Sequence, residues 1–187
     1  MLSVVIATQD SERLLVPTLA ALVAGAVNGV VREVVVADAG SRDGSAQIAD
    51  GAGCRVLISN EGRGARLKAA AAAARAPWLL FLRPGVVPDA TWIDETRRFI
   101  EESELRGSAG SHAAVFRSAN AGYRPTLIEA LALLRAAFDP RPGANQGLVI
   151  ARAFYDLLGG HRDVDQPERD LGRRIGRGRI VLLRSAC

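Results

Sequence analysis

VREVVVADAGSRDGS, residues 31–45, passes from strand to turn to helix within one short span. Residues 31–37 form an apolar, β-branched run of the length that a buried strand needs. Asp38 falls where that run ends, Ala39-Gly40-Ser41 reads as a turn, and Asp43-Gly44-Ser45 opens a helix. Outward from this unit the pattern repeats. Residues 3–8, 54–58 and 78–82 are further buried-strand runs, each bounded by polar or glycine-containing segments. Between them, Leu15, Leu19, Leu22 and Ala26 recur at helical spacing, and residues 63–75 are rich in alanine and other strong helix formers. Strands alternating with helices predict an α/β fold, a mostly parallel sheet flanked by helices.

The second half is less regular. Residues 112–118 and 147–151 read as strands, and 125–138 as an amphipathic helix through Leu127, Leu131, Leu134 and Phe138. A helix over 152–158 stops at Gly159-Gly160, another begins near Pro167, and residues 179–183 close as a strand. Residues 106–111 and the proline-rich 139–143 are loops rather than linkers, so the expectation is a single domain over 1–187.

A chain of 187 residues, 49% apolar, can bury one substantial core. Its two cysteines, Cys54 and Cys187, make neither a disulfide framework nor a metal-ligand spacing, which predicts a reducing compartment and a small core role for Cys54. The N-terminus has no basic stretch leading into a long apolar run, and no segment approaches the roughly 20 apolar residues of a membrane helix. The expectation is a cytoplasmic protein, or one peripheral to the inner face of the membrane. The formal net charge is +4, and Lys68 is the only lysine. Arginine's planar fork suits phosphate, although a codon bias toward arginine accounts for the same composition.

In an open parallel sheet, ligands sit beyond the carboxyl ends of the strands, so the loops to read are ATQDSE (7–12), ADAGSRDGS (37–45) and RPGVVPD (83–89). Asp38 can accept hydrogen bonds from a nucleobase or ribose. The alternative is that Asp38 caps its turn, while Asp43 and Ser45 cap the following helix. The run Gly62-Arg63-Gly64-Ala65-Arg66-Leu67 lacks the third glycine of a dinucleotide fingerprint and follows the third strand, which disfavours a redox dinucleotide enzyme. Arg63 and Arg66 still stand beside a helix N-terminus, as pyrophosphate contacts or as an exposed helix face. His161, Asp163 and Asp165 alternate in a polar loop, a weak metal pattern. The basic tract 173–179 contains no aromatic for base stacking, which makes nucleic acid an unlikely partner and favours support of a helix C-terminus.

SVVIATQDSE, VVVADAGSRDGS, EGRGARLKAAAAAARAPWLLFLRPG and ANQGLVIARAFYDLLGG resemble, in order and spacing, the successive blocks of family 2 glycosyltransferases. The resemblance implies a GT-A fold, with residues 1–105 as the nucleotide-binding half and 106–187 as the donor-sugar and acceptor half. It implies a nucleotide-diphosphate sugar as donor. Thr8 would line the nucleobase pocket, Asp38 would bind the base, and Arg63 and Arg66 would lie near the diphosphate. Asn145 and Gln146 would approach the donor sugar or acceptor, in a block where relatives carry Asp-Gln-Gly. The general base would be Glu168, with Asp170 second, in a segment one residue shorter than in relatives. Asp165 as N-cap and Pro167 in the first turn explain that acidic segment without catalysis.

One departure is decisive for the chemistry. Where the family ends this strand in Asp-x-Asp, with a carboxylate holding a divalent metal against the diphosphate, the chain has Arg83-Pro84-Gly85. A guanidinium repels a hard cation that needs oxygen ligands, so manganese or magnesium is disfavoured as a cofactor. Two functions follow from the resemblance. One is sugar transfer to a hydroxyl acceptor, carried on a lipid or free, in which Arg83 or the Arg63/Arg66 pair replaces the metal's charge. The other is a catalytically inactive module that binds a nucleotide or nucleotide sugar. Nucleotidyl transfer ranks below both, because ATQDSERLL is not a glycine-rich, arginine-bearing loop.

Overall fold

A computed structural model of the chain describes residues 1–117 and 146–187. The expected helix 125–138, the loop 139–143 and Asn145 lie outside the described residues. The elements in chain order are β1 (Leu2–Thr8), α1 (Glu12–Val27), β2 (Val31–Asp38), α2 (Ser45–Gly51), β3 (Arg55–Ile58), α3 (Arg63–Ala73), β4 (Trp78–Leu82), α4 (Trp92–Leu105), β5 (Ala113–Arg117), β6 (Leu148–Ala151), α5 (Arg152–Leu157), α6 (Pro167–Ile175) and β7 (Ile180–Ala186). A short 3-10 turn, Arg177–Arg179, joins the last two.

The strands form one sheet in the order β3-β2-β1-β4-β6-β5-β7. Pairing is parallel among β1, β2, β3 and β4 and between β5 and β7, whereas β6 runs antiparallel to both of its neighbours. The mixed α/β architecture matches the expectation. β1 and β4 are buried along their whole length, which is why both read as continuous apolar runs rather than alternating ones. Register brings Thr8 of β1 beside Asp38 of β2, and Asp38 beside Ile58 of β3. Three strand ends therefore share one rim of the sheet, the rim where an α/β protein receives ligands.

Element boundaries shift modestly from the expected ones, and one element was not anticipated. α4 buries Trp92, Thr96, Phe99, Ile100 and Ser103, an i, i+4, i+7, i+8, i+11 face whose two hydroxyl residues dilute the apolar period. Trp78 of β4 anchors it, meeting Phe99 edge-on at 5.7 Å and donating from Nε1 to Glu104 at 2.9 Å. The first residue of α5, Arg152, donates to the carbonyls of Ala71 and Ala74 at the end of α3 and of Ala76 in the link to β4. Cys54 is buried, as expected. Among the described residues, no helix is long and apolar enough to cross a membrane.

Candidate functional site

The loops after β1 and β2 are stitched together. The Asp10 N–H donates to Ser41 Oγ at 2.9 Å, and the Arg42 N–H donates to the Asp10 carboxylate at 2.7 Å. Glu12 donates from its backbone to Asp43 at 3.0 Å, and its own carboxylate accepts the Gly44 N–H at 2.9 Å. Ser11 donates to Ser45 Oγ at 2.9 Å. The amides of Asp10, Ser11, Glu12, Arg42 and Gly44 are thus satisfied across the two loops rather than within either one. Asp43 also accepts the backbone and hydroxyl donors of Ser45, so its carboxylate organises both helix starts. Those hydrogen bonds hold its pKa below the usual carboxylate range, with Ser45 the largest contributor.

Asp38 is fully buried. One of its oxygens accepts the N–H groups of Gly40 and Ser41 at 2.8 and 2.7 Å, and the other accepts the Ser41 hydroxyl at 2.5 Å. Its carboxylate is thus directed into its own turn, where Gly40 takes φ +77°. Thr8, 2% exposed, leaves Oγ1 without a hydrogen-bond partner among the described residues.

The two arginines of α3 part company. Arg66 is 6% exposed and turns under the sheet rim: Nη1 donates to the carbonyls of Thr8 and Ala37, both at 2.9 Å, and Nε donates to that of Glu61 at 3.1 Å. Arg63 turns the other way, toward α6, and its Nη2 meets Glu168 at 2.7 Å. Arg83, at the end of β4, grips the same carboxylate in a fork, Nε to Oε1 at 3.2 Å and Nη2 to Oε2 at 3.1 Å. Three predicted site residues from three elements therefore meet at one point. Burial works against the charged form of Glu168, but the hydrogen bonds from Arg83 and the charge of Arg63 outweigh it, and the carboxyl lies below its ordinary pKa. Burial also lowers the pKa of Arg63, with Glu168 opposing that shift and Arg83 adding to it.

Asp170, the second candidate base, is paired with Arg174 at 2.6 Å. Arg174 also donates to the carbonyls of Leu158 and Gly160, so the basic tract ties α6 to the loop after α5. The N-cap of α6 is Gln166, not Asp165; Pro167 takes the first helical position, where its missing N–H costs nothing. The H-x-D-x-D pattern does not converge either. His161 is 1% exposed and faces inward, whereas Asp163 and Asp165 are exposed. The loop carrying Asp163 packs on the start of α3 so closely that a Cβ on Gly64 would lie 1.9 Å from the Arg162 carbonyl, and one on Gly62 would lie 2.0 Å from the Asp163 carboxylate. That contact explains the two glycines of the 62–67 run without any nucleotide.

Two cavities adjoin the Arg63–Glu168–Arg83 cluster. One, of about 300 Å³, is open and lined by Arg83, Gln166, Glu168 and Arg169. The other, of about 20 Å³, lies deeper; Arg83 and Glu168 line it together with Gln146 and His161. Among the described residues, no group of three or more His, Cys, Asp or Glu side chains is placed to hold a metal. At the end of β4 the donor set is unsuited to a hard cation: the lone carboxylate has both oxygens engaged by guanidinium groups, which would repel the ion.

No curated protein matches the chain. Among solved structures, residues 1–349 of S. aureus TarS superpose with a TM-score of 0.73 at 17% identity, covering 100% of this chain and 60% of that one. The same protein has been crystallised with UDP-GlcNAc, again at a TM-score of 0.73 and 17% identity, covering 100% and 58%. Glucosyl-3-phosphoglycerate synthase from Mycobacterium tuberculosis, in complex with Mn2+, UDP and glucosyl-3-phosphoglycerate, superposes with a TM-score of 0.65 at 19% identity, covering 100% and 70%. These likenesses establish the GT-A fold, and the chain spans about 60% of the TarS fragment's length. Residues 3–165 match the family described as Glycosyl transferase family 2. Since that match takes in most of the described strands and helices and the whole stretch from Thr8 through Arg83, the chain belongs to glycosyl transferase family 2.

Proposed function

We propose that the chain binds a nucleoside-diphosphate sugar at the shared rim of β1, β2 and β4 and transfers the sugar to a hydroxyl acceptor, with arginine in place of a divalent metal. The observation that carries this reading is the convergence of Arg63 and Arg83 on one carboxylate beside a cavity of about 300 Å³. Two guanidinium groups held around a single anion form a receptor for anionic oxygens, and a diphosphate offers more of them than Glu168 does. Fixed positive charge near the departing diphosphate stabilises the charge that develops there, which is the cation's electrostatic task. Thr8 and Asp38 frame the base side, Asp38 by fixing its turn rather than by direct contact. TarS and the phosphoglycerate synthase, both crystallised with uridine nucleotides, suggest UDP as the first nucleotide to try.

Thermal-shift and calorimetric titrations with UDP, UDP-glucose and UDP-GlcNAc test the reading, since a ligand selective for the native state raises the apparent melting temperature. The expected result is a shift unaffected by a chelator and at least about tenfold weaker UDP binding in Arg83→Ala, the loss of one charge-assisted fork. Binding that disappears with chelator and returns with manganese would refute arginine substitution. No shift with any nucleoside diphosphate or its sugars would sink the function itself.

Glu168 supports a second reading. Both of its oxygens are engaged and its pKa is depressed, so in the unliganded state it is a poor proton acceptor. A binding module without turnover has the same geometry. Glu168→Gln separates the two. In either reading the carboxylate competes with the diphosphate for the arginines, so the variant is expected to bind UDP about tenfold tighter. If Glu168 is also the base, wild-type protein transfers sugar and the variant does not. Weaker UDP binding in the variant would show that Glu168 serves to hold the arginines in place.

A further inference from the structure

His161 is buried within the cleft, 1% exposed, with its ring edge-on to Phe81 at 4.6 Å between centroids. Tyr155 fixes its orientation. The Tyr155 hydroxyl oxygen accepts the His161 backbone N–H at 2.9 Å and lies 3.0 Å from Nδ1. The phenol has one proton to give, and Nδ1 lies within its reach. With that proton given to Nδ1, the neutral ring carries its own on Nε2. That N–H has no partner among the described residues, although its atom is buried. A buried polar atom left without a partner is costly, so its presence beside the cleft calls for a ligand.

The ring lines the deeper cavity of about 20 Å³, together with Leu67, Phe81, Arg83, Gln146 and Glu168. That space admits about one oxygen-sized group. Arg83 and Glu168 line this cavity and the larger one alike, and the proposed diphosphate would sit against them, so the group within reach is the one attached to that diphosphate.

We infer that His161 is a specificity-determining residue that donates from Nε2 to a single oxygen of the sugar carried on the nucleotide diphosphate. The inference rests on the nucleotide-sugar reading above and adds to it the residue that reads the sugar. Burial lowers the imidazole pKa to about 4, which keeps the ring neutral at physiological pH.

Two substitutions divide the two ring nitrogens. His161→Asn keeps an acceptor near the Nδ1 position for Tyr155 but removes the Nε2 donor, whereas His161→Gln can return a donor near Nε2. Calorimetric titration of wild-type protein and both variants with UDP, UDP-glucose and UDP-GlcNAc is the test. His161→Asn is expected to weaken binding of at least one of the two sugar nucleotides about tenfold while leaving UDP unchanged, with His161→Gln recovering most of that loss. Equal effects on UDP and on both sugar nucleotides, or no effect on any, would overturn the assignment while leaving nucleotide binding intact. If wild-type protein binds none of the three, the nucleotide reading fails first and this inference with it. Nitrogen-15 NMR of the unliganded protein adds a check that needs no ligand: a His161 ring protonated on Nδ1 contradicts the donor assignment.

Discussion

Replacing Arg66 by alanine is expected to cost on the order of 3 kcal/mol of folding stability, measured by urea unfolding, the loss of charge-assisted hydrogen bonds to buried carbonyls. Arg66 joins the ends of β1 and β2 to the turn before α3, through the carbonyls of Thr8, Ala37 and Glu61. Burial works against its charge, and Asp38 and Asp163 support it. Truncation leaves three carbonyls without their charged donor and opens space beneath the rim. Arg66→Lys, which keeps the charge but not the fork, is expected to recover less than half of the loss. Arg63→Ala is the contrast, because that side chain is 31% exposed and its main partner, Glu168, keeps Arg83. Its effect should fall mainly on nucleotide affinity. If Arg66→Ala unfolds at the same urea concentration as wild type yet binds UDP poorly, Arg66 is a ligand contact and the structural assignment is wrong.

Acid should destabilise the protein well before its carboxylates are protonated in bulk. The His161 pKa falls from 6.5 to about 4 on folding, because burial disfavours the imidazolium. Between those values the unfolded chain binds a proton that the folded chain does not, so stability rises with pH across the window and is lost as pH falls from about 6.5 toward 4. The expected loss from this group is roughly 3 kcal/mol, at about 1.4 kcal/mol per pKa unit. Glu168 acts in the same direction but lower. Its pKa is depressed on folding, so its contribution is present above the unfolded value and is lost as pH falls through the folded one. Urea unfolding from pH 7 to pH 4 should show the slope in wild type and a much flatter one in His161→Gln, which cannot take up the proton. An unchanged slope in the variant would assign the acid sensitivity to other groups.

The strands were legible because β1 and β4 are buried on both faces and leave unbroken apolar runs. α4 was harder to read because Thr96 and Ser103 stand at buried positions, where the apolar period expects hydrocarbon. Within the site, the strand ends and the arginine at the end of β4 could be read from the order of the motifs. The partnership of Arg63, Arg83 and Glu168 could not, since Arg83 and Glu168 are 85 residues apart and no local pattern links them. The direction taken by Arg66 was hidden for another reason: its position on α3 marks a helix start, but its guanidinium is claimed by carbonyls at two strand ends. His161 stands out in sequence only as one of the three residues of a weak metal pattern. Its place becomes clear from Tyr155, six residues earlier, across the Gly159-Gly160 turn.

The reciprocal hydrogen bonds between the loops after β1 and β2 bear on how this rim can change over generations. Asp10 serves the amide of Arg42, and Asp43 serves the amide of Glu12, across separations of 32 and 31 residues. Both donors are main-chain amides that no change of side chain removes, so the two aspartates are expected to resist substitution while the side chains at 12 and 42 have more latitude. New nucleotide preferences would then arise more readily outside the stitched segment than within it.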